Sequence, residues 1–321
     1  MKVGLYFDLR NPEPWARPWP EVYGRALDLV VEAERLGAAS VWFSEHHLFA
    51  DGYLPQPLTF AAAAAARTSR VRIGTAVLVA ALRPAVLVAE EAAVVDQLSG
   101  GRLELGIGAG YSVPEYELYN ADISKRYGLT DAAVTDIRRL LDDGIVTPPA
   151  AQNPFPIWLG YQGPQGAKRA GRLGVGLLSL DRTLLEPYRE GLTEGGHDQA
   201  IARTGGMLDI IVADDPEAAF ERILPHYAHQ LNSYRAAAVA GSGREAPKEI
   251  TVEKLRSGAA QKGQIPGLRV LTPADAISAI REATDDSPVE HVYLWASVAG
   301  MPDDLVEQHV ELTCTEVAPK L

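Results

Sequence analysis

Strand-like and helix-like stretches alternate along the whole 321-residue chain, and that alternation restricts the fold more than any single motif. The strand-like stretches are residues 3–7, 40–44, 71–78, 103–107, 157–160, 175–179, 208–212 and 289–295. Between the first two, Val22, Ala26, Leu29, Val30, Ala33 and Leu36 recur at helical spacing until Gly37 stops the run. Comparable patterns cover 85–98, 130–141, 165–173, 216–238 and the C-terminal region from Pro302. Eight strands with intervening helices predict an α/β fold, a (β/α)8 TIM barrel, as a single domain over residues 1–321. No repeat of solenoid length appears.

A barrel of parallel strands keeps its chemistry where each strand ends and its loop begins. The run Ser40-Val41-Trp42-Phe43-Ser44-Glu45-His46-His47 therefore delivers an acid and two histidines to the mouth. The alternative is a polar loop whose histidines hydrogen-bond locally. Neighbours on an extended segment point opposite ways, so one histidine faces the cavity and the other the wall.

Gly106-x-Gly108-x-Gly110 follows a strand, as a dinucleotide fingerprint would. No helix opens directly on it, and Val113 stands where the last glycine belongs, so a Rossmann site is rejected. The glycines are read as letting a flat ligand lie against bare backbone. No metal site is predicted. His226 and His229 sit three apart on a probable helix without an acid to complete a set, and read as surface histidines. No nucleophile elbow is present. Asp96 and Arg102 read as a structural charge pair at the N-terminal end of the fourth strand.

A net charge of −12 argues against nucleic acid and against an anionic membrane surface as partners. The alanine run 61–66 is too short to span a bilayer. One cysteine, Cys314, excludes an intrachain disulfide and fits a reducing, cytoplasmic setting. The N-terminus reads as a strand, not a signal peptide. Residues 240–268, rich in glycine and charge, break the rhythm and are expected to form a mobile lid or a surface excursion.

Taken together, Ser44-Glu45-His46-His47, residues 73–78, Ala89-Glu90-Glu91, residues 95–102 and the run 105–111 with Glu115 resemble the bacterial luciferase-like flavin-dependent monooxygenase family. The resemblance is dense from about 40 to 120 and continues at 156–160 and 170–174. It implies a luciferase-like barrel holding reduced FMN at the C-terminal strand ends. It makes His46 the catalytic histidine beside the flavin, with Glu45 or a nearby carbonyl setting its proton balance. It puts a non-prolyl cis peptide at Ala76-Val77, against the flavin. Gly108 and Tyr111 fall on the cofactor wall, with Tyr6 and Trp42 as further wall candidates. Gly160, Gln162 and Gly163 match the phosphate loop, and Ser179 ends the next strand near it. The sequence departs from the family in that loop, which lacks its usual hydroxyls or acid, and at Ala109, which replaces an arginine.

The implied activity is oxygenation of a small organic substrate by O2 through a flavin peroxide. Nothing resembles a nicotinamide site, so a separate flavin reductase would supply the electrons. The first alternative is a deazaflavin (coenzyme F420)-dependent oxidoreductase transferring hydride; Tyr111, where some such members carry a glutamate, leans toward FMN. The second is a non-catalytic flavin-binding barrel. A homodimer is the family expectation.

Overall fold

The computed structural model describes residues 1–257 and 267–321. Eight parallel strands close into a ring: β1 (Lys2–Phe7), β2 (Ser40–Phe43), β3 (Arg72–Thr75), β4 (Leu103–Gly108), β5 (Ile157–Leu159), β6 (Gly176–Leu178), β7 (Thr204–Leu208) and β8 (Val289–Trp295). β1 lies between β2 and β8, with Gly4 opposite both Ser40 and Tyr293. The ring closes where β3 meets β4, at Ile73–Leu103 and Gly74–Glu104. This is the (β/α)8 barrel that the alternation predicts.

Two strands differ from the sequence reading. The stretch 71–78 is not one strand. β3 stops at Thr75, and a short strand, Leu78–Val79, resumes beside Ile107 and Gly108. The peptide between them, Ala76–Val77, is cis. The seventh stave is Thr204–Leu208 rather than 208–212. Ile210–Val212 leaves the ring and pairs with Arg269–Leu271. Gly205 and Gly206 hide the stave from strand propensity. Both are needed where they stand: a Cβ on Gly205 would press on the His291 backbone, and one on Gly206 on Leu180.

The barrel interior is built on large rings that need missing side chains opposite them. Trp42 and Trp158 are fully buried, and the ring faces occupy the space that Cβ atoms of Gly74 and Gly176 would take. Trp42 is thus core, stacked on Tyr293, and not a cavity wall. Lower in the barrel, Trp158 Nε1 donates to Glu104 at 2.8 Å, and Arg72 pairs with the same carboxylate. Burial opposes ionisation of Glu104, but His291, Arg72 and Trp158 outweigh it and hold its carboxyl down at about 2.

Arg102 and Asp96 are both buried, yet they serve separate partners. Arg102 donates to the carbonyls of Ser99, Val71, Ala65 and Thr68, while Asp96 accepts from the backbone and side chain of Gln152. The helix Pro216–Ala237 packs over the mouth. Of its two histidines, His226 is not a surface residue: it is buried with Nδ1 3.1 Å from the Ala299 carbonyl, while the half-buried His229 meets Asp51 through Nε2 at 2.8 Å. The expected lid falls partly outside the described residues. Of its described ends, Leu255 and Leu268 are buried against the barrel. Among the described residues, no helix is long and apolar enough to cross a membrane.

Candidate active site

β2 ends at Phe43, and Ser44 prolongs the extended path by donating its N–H and hydroxyl to the Phe7 carbonyl. Side chains therefore keep alternating through 47. Glu45 and His47 turn one way and His46 the other. Glu45 is buried, and its carboxylate accepts from Arg83 Nη2 at 2.6 Å and the Val79 N–H at 3.0 Å, with His47 Nε2 at 2.8 Å. That set ties the β2 loop to the segment after the cis peptide. Glu45 is spent on the wall and does not hydrogen-bond His46.

Glu115 does. It is fully buried on the short helix Val113–Leu118, and its Oε1 lies 2.8 Å from His46 Nδ1 while accepting the His47 N–H at 2.9 Å. A carboxylate can only accept in both contacts. The neutral imidazole then carries its proton on Nδ1 and turns the Nε2 lone pair to the cavity. Nε2 faces the Tyr111 hydroxyl at 3.4 Å. Tyr111 is exposed along one side of its ring, but its phenol end is enclosed, and that burial, then the Glu115 charge, pushes the phenol up. Rings of Phe49, Tyr53, Tyr111 and Tyr234 surround the imidazole at centroid distances of 4.7, 4.7, 5.2 and 6.2 Å.

A cavity of about 260 Å³ opens beside His46. It brings together Tyr6, Glu45, His46, Ala76, Val77, Gly108, Tyr111, Gly160 and Gln162. Gly163 and Ser179 are not among its walls. Gly163 opens the helix Gly163–Arg172 at φ +71°, and the Ser179 hydroxyl accepts from the Asp181 N–H at 3.2 Å. The glycines also have a structural job. A Cβ on Gly108 or Gly160 would collide with the Val77 side chain, and one on Gly106 with the Thr75 carbonyl. They make room for the cis segment, and Gly108 and Gly160 also line the cavity.

The end of the cavity formed by Tyr127, Tyr161 and Gln162 holds the residues that sequence reasoning missed. Arg126, first residue of the helix Arg126–Asp142, faces the Tyr127 ring at 4.6 Å and is the only lysine or arginine among the described lining residues. Gln162 precedes the helix Gly163–Arg172 and makes no capping bond with its side chain. One cation beside the free N–H groups of a helix start suits one phosphate. No local signal marks Arg126, which lies 15 residues past Tyr111 in an unremarkable polar run. The flat Ala76–Val77 peptide, the imidazole and the single cation fit a ring system carrying one phosphate, so the residues present fit reduced FMN or F420.

The family model described as luciferase-like monooxygenase matches residues 1–260, and the chain belongs to that family of oxidoreductases. Among curated relatives, the F420-dependent glucose-6-phosphate dehydrogenase of Kineococcus radiotolerans is 32% identical over 232 residues, 62% of this chain and 67% of that one. Among solved structures, the monooxygenase RslO1 from Streptomyces bottropensis superposes with a TM-score of 0.79 at 23% identity, covering 99% of both chains. The oxygenating constituent of 3,6-diketocamphane monooxygenase from Pseudomonas putida, solved with FMN, gives 0.73 at 18% identity over 100% of this chain and 98% of that one. The two structural likenesses bear on fold.

Proposed function

We propose that this chain is a flavin-dependent monooxygenase that takes reduced FMN from a separate reductase. It places one oxygen atom of O2 in an uncharged small organic substrate, and the other leaves as water. When bound, reduced FMN supplies the two electrons this requires. The protein's own residues supply position, dryness and protons. Arg126, Gln162 and the start of the helix Gly163–Arg172 would hold the phosphate. The aromatic rings around His46 exclude water from the reacting end. His46 Nε2 accepts or returns a proton there, with Glu115 holding the ring in place through Nδ1.

The observation that carries this reading is the charge count of the cavity. Arg126 is its one cation among the described residues, and the cofactor phosphate would use it. Among those residues no second cation lines the cavity for a phosphorylated sugar, and the walls around His46 are aromatic, with Arg10 buried behind Phe49, Tyr53 and Tyr234. A second reading, an F420-dependent oxidoreductase acting on an uncharged alcohol or ketone, is favoured by the 32% identity to an F420 enzyme.

Anaerobic titration of the purified chain with reduced FMN and reduced F420, read by tryptophan fluorescence, separates the two. Reduced FMN is expected to bind at least tenfold tighter, about 1.4 kcal/mol. The reverse preference replaces the first reading with the second. Binding of neither overturns both.

A further inference from the structure

Tyr111 and His46 meet across the barrel mouth from positions 65 residues apart. The chain leaves β4 at Gly108, and Gly110 turns it at φ +65°. Tyr111 follows, lines the cavity and sets its hydroxyl 3.4 Å from His46 Nε2. We propose that Tyr111 is a catalytic residue: its hydroxyl exchanges the proton with the molecule bound in the cavity, and His46 acts through it. This role rests on the redox function proposed above, in which a proton moves beside His46.

An imidazole has two nitrogens, and here both are engaged. Nδ1 lies 2.8 Å from Glu115 Oε1, so Nε2 offers one lone pair. The Tyr111 hydroxyl occupies it. A molecule in the cavity therefore either displaces Tyr111 from Nε2 or exchanges its proton with the Tyr111 oxygen. The other described polar groups around the ring are spent elsewhere. The Tyr53 hydroxyl lies 2.7 Å from that of Tyr234 and 3.3 Å from that of Tyr6. Glu45 is held by Arg83, Val79 and His47. Arg10 is buried behind Phe49, Tyr53 and Tyr234, with Nη2 on the Ser233 hydroxyl. A wall needs only the ring of Tyr111, and phenylalanine would supply that while leaving Nε2 bare.

The step balances at each atom. A proton leaving the bound molecule forms a new O–H bond at Tyr111 as the old one breaks and its proton goes to Nε2. The return passage reverses both transfers. The phenol is neutral before and after, and Nε2 holds the proton between passages while Glu115 keeps the ring turned through Nδ1. The electron pair goes from reduced FMN to O2 and does not pass through Tyr111. Burial, then the Glu115 charge, pushes the phenol up against the opposing pull of Arg10, so the hydroxyl keeps its proton at rest. A phenol of that kind gives up one proton as it gains another, which is the behaviour of a relay.

The test is Tyr111→Phe in the full chain, which removes the hydroxyl and keeps the ring. In apo-protein carrying 15N-labelled histidine, the His46 Nε2 signal is expected to move in the variant and the Nδ1 signal to stay. Reduced FMN is expected to bind within about twofold of wild type. Reoxidation of the bound cofactor by O2 is expected to slow by roughly tenfold or more. Tyr111→Ala, which opens room beside the imidazole, is expected to be as slow, and to speed up with added phenol but not with added benzene. Unchanged or faster reoxidation in Tyr111→Phe with normal binding shows that the hydroxyl only plugs Nε2, and overturns the role of Tyr111 alone. So does an Nε2 signal that stays in place, or an equal response of Tyr111→Ala to phenol and benzene. Failure of wild type to bind reduced FMN overturns the proposed function and the role of Tyr111 with it.

Discussion

At His46 the decisive partner comes from 69 residues away. Alternation along an extended segment is a local rule, and it correctly separates His46 from His47. The same rule puts Glu45 with His47, on the wall, and that consequence is what the sequence reading missed. Glu115 was visible only as a member of the family motif. Nothing in its own surroundings announces a buried carboxylate 2.8 Å from an imidazole, because packing between β2 and the helix Val113–Leu118 decides it. Asp8 offers a test at this scale. Burial outweighs Arg10 and pushes its carboxyl up to about 6. The folded chain then prefers Asp8 protonated. The contribution of Asp8 to stability should fall as pH rises from about 4 to about 6, on the order of 3 kcal/mol. Asp8→Asn abolishes that titration. Its melting temperature should gain on wild type as pH rises from 4 to 7, and a gap that stays constant across that range would show that Asp8 ionises freely in the fold.

Elements with plain signatures were legible: the helix Trp19–Leu36 closes at Gly37 with φ +106°, as its pattern requires. Elements shaped by contacts elsewhere were not. β7 carries two glycines because neighbours crowd it, so it reads as a loop while apolar Ile210–Val212 reads as the strand. The cis peptide at Ala76–Val77 agrees with the family resemblance, whereas its reliance on Gly108 and Gly160 became visible only in three dimensions. The helix Ala85–Ser99 carries a further consequence. Its outer side carries exposed Val86, Leu87, Val94 and Leu98 interspersed with Glu90, Glu91 and Gln97. Exposed apolar side chains that line up are normally covered. Leu87, Val94 and Leu98 form one stripe, and we propose that a second copy of the chain covers it. Val94→Glu with Leu98→Glu should convert a dimer to a monomer in sedimentation velocity. A wild type that sediments as a monomer, or a doubly substituted chain that still dimerises, would remove this assignment.

For the molecule as a whole, eight alternations sufficed to predict the ring, because parallel strands need helical crossovers and few arrangements close. The two ends of the cavity were not equally readable. The end at His46 is written in one continuous run, Ser44 to His47. The end at Arg126 is assembled from a helix start, two tyrosines and the turn before Gly163, which no spacing connects. The proposed function requires one arrangement: a phosphate-bearing flavin along Ala76–Val77 with its ring at the imidazole. A crystal structure of the chain with FMN diffused in is the measurement to make. The expected result is the ring against Ala76–Val77, Nε2 of His46 facing it and the phosphate at Arg126. FMN lodged outside this cavity, or His46 turned away from it, would contradict that arrangement.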